Sequence, residues 1–332
     1  MNPLLRFVLP LVLLGEPILA QDQATTLLTA CEKADVIVRA TVLAASDPSP
    51  DWHRLEFRSD EVLHGQVGAT FALLEPAGQC CGRSLFALQN GNECLLFLQR
   101  RGATLHPWGG ARGVLEAEPA VLLHVRDLLL ANTPQQHTQV LTQTLQSDVP
   151  RLANDAAHSL ASLPTLQLTA GQTDLVLEAL GLAVARGSAT SASLVDVALR
   201  AENAVVLDAL IPMYLDQTRA DRARLLRGAL SRCSPQGLAE RLPMHLRGLE
   251  SRELRAIELV SELPAEDAQP LFQAVLSGTR NPRVQLYACE GLMANGTRTS
   301  SLQGRVPNAV LDLAERRRNQ PKTFRNLRPE QR

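Results

Sequence analysis

RELRAIELVSEL, residues 252–263, reads as an amphipathic helix opened by an arginine-containing turn. The same form recurs every 30 residues, as RARLLRGALSRC from Arg222 and PRVQLYACEGLMANG from Pro282. Further helical stretches, Pro235 to Leu246 and Glu266 to Leu276, lie between them. Two helices per period of about thirty residues mark an α-solenoid, in which each pair buries its apolar face against the next. Arg222, Arg252 and Arg283 start successive repeats. They could face a partner as a ladder, or cap and pair within the solenoid, which is the plainer expectation. An irregular bundle of unrelated helices is the alternative architecture.

The helical pattern extends upstream, more loosely, through Val149 to Leu215. Leu152, Ala156, Leu160 and Leu163 share one helix face, as do Leu175, Ala179, Leu182 and Val184. Pro150, Pro164, Pro235, Pro264, Pro282 and Pro307 stand where the chain would turn between helices, because proline cannot donate the helix hydrogen bond. Pro212 and Pro270 fall inside helical runs and mark kinks or boundaries.

Before residue 131 the pattern changes. In ADVIVRATV, Val36, Val38, Ala40 and Val42 line one face of a strand, with Asp35, Arg39 and Thr41 mostly on the other. Arg54 to Arg58 alternates in the same way. Ala69 to Leu74 and Cys94 to Leu98 read as strands buried more completely. Gly65, Gly68, Gly78, Gly91 and the Trp108-Gly109-Gly110 corner supply turns. Short strands with glycine turns indicate a small barrel or sandwich.

MNPLLRFVLPLVLLGEPILA, residues 1–20, has the form of a signal peptide: Arg6, an apolar run from Phe7 to Leu14, then a small-residue context ending at Ala20. The apolar run is too short and interrupted for a spanning helix. The mature chain is therefore expected to begin at Gln21 and to be exported to the periplasm or the medium. Leu28-Thr29-Ala30-Cys31 has lipoprotein-box residue types but stands too far beyond the apolar run.

In an exported protein clustered cysteines favour disulfides. Cys31, Cys80, Cys81 and Cys94 form an even set with three possible pairings. In an extended segment Cys80 and Cys81 would face opposite ways, so each would reach Cys31 or Cys94 more easily than the other. Two bridges are expected. One bridge with two thiols, or a zinc site, are the alternatives, although zinc usually takes C-x-x-C pairs that are missing here. Cys233 and Cys289 read as small buried residues with free thiols.

The run CEKADVIVRATV, the strand ending DEVLHG, the G-x-x-C-G element from Gly78 to Gly82 and G-x-E-x-L-L-F-L from Gly91 to Leu98 together resemble a known family. They are similar to exported bacterial relatives of the tissue-inhibitor-of-metalloproteinases and netrin-type modules, over residues 27 to 118. That resemblance implies an OB-like barrel carrying disulfides. The second half resembles HEAT-type repeats over residues 150 to 315, and the combination resembles HEAT-repeat proteins of bacterial envelopes. In the animal inhibitors the amine and carbonyl of an N-terminal cysteine chelate the protease zinc. Cys31 lies beyond the expected Gln21 terminus, so its nitrogen is a peptide N–H and that activity is not implied.

The fold expected is α+β in two domains: residues 21–131 a small OB-like β barrel, 132–315 an all-α HEAT-like solenoid, and 316–332 a basic, disordered tail. The chain of 332 residues is 45% apolar and 20% charged, which excludes a disordered class. A net charge of −1 argues against a nucleic-acid-binding surface covering the molecule. No H-E-x-x-H pair, G-x-S-x-G elbow or phosphate loop is present, and no cofactor or metal is expected. Asp155 and His158 stand at one-turn spacing, which more often gives an intrahelical contact than a ligand pair. The function expected is non-enzymatic binding of other proteins. Trp52, in the loop that follows Asp47, is a candidate contact. The alternatives are an exported enzyme with a site between the domains, or a protease inhibitor acting through the Asp47 to Trp52 loop.

Overall fold

The computed structural model describes residues 26–49, 52–76, 88–201, 204–246 and 248–319. The chain divides into two compact units, with the boundary between Ala117 and Glu118. The expected signal peptide, the pair Cys80 and Cys81, and the tail from residue 320 lie outside the described residues.

The first unit opens with a short helix α1 (Leu27–Lys33), capped by the Thr26 hydroxyl. Among the described residues six strands follow: β1 (Val36–Ser49), β2 (Trp52–His64), β3 (Thr70–Pro76), β4 (Glu93–Arg101), β5 (Thr104–Pro107) and β6 (Val114–Glu116). All pairings are antiparallel, in the order β3-β2-β1-β4-β5, and β6 also pairs with β4. The alternation in ADVIVRATV sets the core. Val36, Val38, Ala40 and Val42 meet Leu55 and Phe57 of β2, Leu73 of β3, and Cys94, Leu96 and Leu98 of β4. The Phe57 ring stacks on Phe71 with centroids 5.3 Å apart. On the opposite face the Arg39 guanidinium pairs with Glu93 at 2.6 Å, and Thr41 donates to Asp60.

Ile37, Leu95 and Phe97 are also fully buried, and α1 packs against β4. Strand β4 is thus covered on both faces, which explains its unbroken apolar run. Repeated register shifts between β1 and β2 bend the pair, as bulges do, and bring β3 and β5 together. The result is a curled half-barrel. Strand β3 departs from the expected full burial: it is the sheet edge, where Leu73 is buried but Leu74 is 47% exposed. An edge strand has one neighbour, so only its inward face finds cover.

The second unit is helical: α2 (Pro119–Leu130), α3 (Pro134–Thr144), α4 (Pro150–Ser162), α5 (Ala170–Arg186), α6 (Ser191–Leu199), α7 (Ala204–Leu215), α8 (Ala220–Leu230), α9 (Pro235–Leu246), α10 (Glu250–Val260), α11 (Ala265–Gly278), α12 (Pro282–Ala294) and α13 (Asn308–Arg318). Prolines punctuate as expected, opening α4, α9 and α12 and preceding α11 and α13. Pro212 and Pro270 instead lie inside α7 and α11, so they mark no boundary.

The odd-numbered helices from α3 to α11 pack side by side. Helices α4, α6 and α8 form a second row, continued by the packing of α10 on α12. This two-row stack is solenoid-like. Helix α13 runs through Arg318, into the stretch expected as tail. Three arginines in its last turn oppose the negative end of the helix dipole, which favours helix there.

Candidate functional site

The arginines that open the repeats serve mainly the stack itself. Arg222 of α8 donates from Nη1 to the Ala185 carbonyl in the last turn of α5, at 2.7 Å. Arg252 of α10 is 14% exposed; it donates to Asp216 at 2.6 Å and to the His245 carbonyl at 3.0 Å. Arg283 of α12 keeps 61% of its side chain exposed, with Glu250 at 3.4 Å, and hydrogen bonding to Tyr287 raises its pKa. Two further arginines do what no repeat pattern announced. Arg200 donates to the Leu163 and Ala161 carbonyls beside the end of α4, both at 2.6 Å, and Arg255 donates to the Gln217 carbonyl at 3.0 Å. Carbonyls at a helix end lack intrahelical donors, so a guanidinium from a later helix satisfies them and ties separate helices together.

Trp52 opens β2 opposite Ser49 and Pro76; its side chain lies outside the described residues, as do Pro50 and Asp51 of its loop. Cys31 is buried on α1 and Cys94 in the half-barrel core. The Cys94 thiol donates to the Ala40 carbonyl at 3.5 Å, and burial pushes it up to about 12, which makes it a poor nucleophile. Cys289 is buried on α12 and pushed up to about 11 by burial first and Glu290 second. Cys233 follows α8 and donates to the Ala229 carbonyl.

Asp155 and His158 are engaged separately. Ser159 donates to Asp155 at 3.5 Å, while His158 Nδ1 meets Ser193 of α6 at 2.9 Å. Among the described residues no group of three or more His, Cys, Asp or Glu side chains is placed to hold a metal.

His124 of α2 carries the clearest internal titration. Thr144 gives its hydroxyl proton to the Val140 carbonyl, so its oxygen accepts from His124 Nδ1–H at 3.0 Å. Nε2 is then a bare acceptor, buried without a hydrogen-bond partner. Burial lowers the His124 pKa, with Asp127 opposing. A folded pKa below the unfolded one means that the unfolded chain binds the extra proton first. The stabilisation is therefore present above the unfolded value of about 6.5 and lost as pH falls through it. Urea midpoints of the helical unit, followed by helical circular dichroism, are expected to fall between pH 7.5 and pH 5. His124→Phe, which has nothing to protonate, is expected to show a shallower fall. Equal slopes would remove His124 as the cause.

A concavity among the described residues lies at the far end of the stack. A cavity of about 540 Å³ is walled by α10, α11, α12 and the end of α13, within the range of roughly 300–1,000 Å³ typical of small-ligand sites. Ile257 and Val260 of α10, Phe272 of α11 and Met293 of α12 give it an apolar lining. Gly291 lets the Phe272 ring lie on α12: a Cβ there would stand 2.3 Å from the ring. Glu290, 7% exposed by its side chain, is paired by Arg317 of α13 at 3.4 Å.

No known protein family, curated protein or solved structure matches this chain. What the site can do therefore follows from its side chains alone. The recess combines an apolar floor with one paired carboxylate and guanidinium groups at its edge. The sequence had no signal for it beyond the repeat register, because its walls come from four helices and its polar edge from α13.

Proposed function

We propose that this chain is an exported, non-enzymatic protein that binds other proteins through the surface of its helical stack. The observation that carries this reading is the two-row packing of α3 to α12. Such a stack has an extended outer surface whose turns can vary without disturbing the core. Arg222 and Arg252 hold the rows together, while Arg283 stands exposed at the start of its repeat. Met244 and Leu249 add apolar surface at the end of α9 and the start of α10, at 63% and 51% exposed. No helix among the described residues is long and apolar enough to cross a membrane.

Export by residues 1–20, with cleavage after Ala20, belongs to the same reading. So do an OB-like first unit in which disulfides through Cys31, Cys80, Cys81 and Cys94 would take the place of the thiol forms of Cys31 and Cys94 seen in this structure, and HEAT-type repeats in the second. Photo-crosslinkers placed at positions 244 and 283 in the exporting cell test the surface. A discrete protein adduct from both positions, missing from a control on the sheet at position 39, is the expected result. Adducts at no position would overturn it. Intact mass of the recovered protein, alkylated under denaturing conditions, tests the rest. The chain is expected to start at Gln21 and to take label at Cys233 and Cys289 alone. Label on the first four cysteines would end the staple.

A further inference from the structure

From the cavity at the end of the stack we infer a second, separate activity: it binds a small amphipathic monoanion, such as a medium-chain carboxylate. Its apolar body would lie against Leu263, the Tyr287 ring and Ala294, the lining groups that keep exposed surface over the buried Ile257, Val260, Phe272 and Met293, and its head would meet the guanidinium groups of Arg317 and Arg318.

The sign of the head group follows from which charges are already answered. Glu290 is the carboxylate of the lining, and Arg317 neutralises it. Arg318 lines the same rim, is exposed, and has no ion pair or hydrogen bond among the described residues. The negative potential of the helix ends nearby is reduced where their carbonyls accept hydrogen bonds. Those of Leu259 and Val260 accept from Glu262 and Leu263, and those of Gly291, Leu292 and Met293 accept from Asn295, Thr297 and Gly296. One cation with no side-chain partner among the described residues, set only against the negative end of its own helix, therefore stands at the mouth of the recess. Arg317 spends Nη1 on Glu290 at the long distance of 3.4 Å, and a guanidinium has further N–H groups in its fork to share with a carboxylate. The apolar walls favour a hydrocarbon body over a wholly polar anion such as phosphate. The volume of about 540 Å³ suits a small molecule rather than a folded partner.

Three probes with one apolar body separate the possibilities: decanoate, decanol and decyltrimethylammonium, each titrated by calorimetry into the full chain. Decanoate is expected to bind tightest. Arg318→Gln touches no internal partner, so it is expected to keep the wild-type melting temperature while weakening decanoate about three- to ten-fold and leaving decanol unchanged. Gly291→Ala, which drives the Phe272 ring toward the recess, is expected to weaken decanoate and decanol together. Preference for the ammonium probe would overturn the inference and make Glu290 the anchor. Decanoate binding that ignores both substitutions would also overturn it. So would binding seen only in a chain ending at Asn319, since the residues beyond would then be the natural occupant.

Discussion

Phe57→Ala is expected to destabilise the half-barrel by about 3–5 kcal/mol, the range for removing a large ring from a closed core. Phe57 is fully buried at the centre of the inner face, flanked in register by Val42 on β1 and Phe71 on β3. Its loss would also leave the Phe71 ring without its stacking partner at 5.3 Å. The protein has two tryptophans, Trp52 and Trp108, and both belong to the first unit. Tryptophan emission during urea unfolding therefore reports on this unit. A loss below about 1 kcal/mol, the ordinary size for a substitution away from any special feature, would mean that the core closes without Phe57.

Gly65→Ala is expected to cost about 2–4 kcal/mol, from a left-handed backbone and a backbone clash acting together. Gly65 follows β2 with φ +74°, and a Cβ there would stand 2.1 Å from the Asp35 carbonyl oxygen. That oxygen cannot swing aside, because Asp35 is held by its own N–H on the Leu98 carbonyl at 2.8 Å and by its carboxylate on the Arg100 N–H, also at 2.8 Å. Gly91 provides the control. It has φ +84° but open space where a Cβ would go, so Gly91→Ala is expected to cost only the conformational part, about 1–2 kcal/mol. Equal losses at the two positions, in the same tryptophan-monitored unfolding, would remove the clash at Asp35 from the account.

Much of the architecture was legible because secondary structure is encoded in short periods. The alternation from Val36 to Val42 needs no distant information to choose its inner face. The unbroken run from Cys94 to Leu98 announces a strand covered on both sides, and the 30-residue recurrence of Arg222, Arg252 and Pro282 announces stacked helix pairs. What misled was a property set by neighbours. Ala69 to Leu74 has the composition of a buried strand but is the sheet edge, and edge position is decided by strand order. Arg316 to Arg318 has the composition of a tail but completes α13.

By itself, then, the sequence determined that a β unit precedes a stack of helices, which faces are apolar, and where prolines begin the helices. Only the tertiary structure decided what the charges do. Arg222 answers a carbonyl 37 residues earlier, Glu290 answers Arg317 27 residues later, and Arg318 has no side-chain partner among the described residues. The walls of the cavity are likewise shared by four helices. Burial patterns repeat along a helix and can be read locally. Pairing between charges separated by whole helices depends on how those helices pack, and no short period carries it.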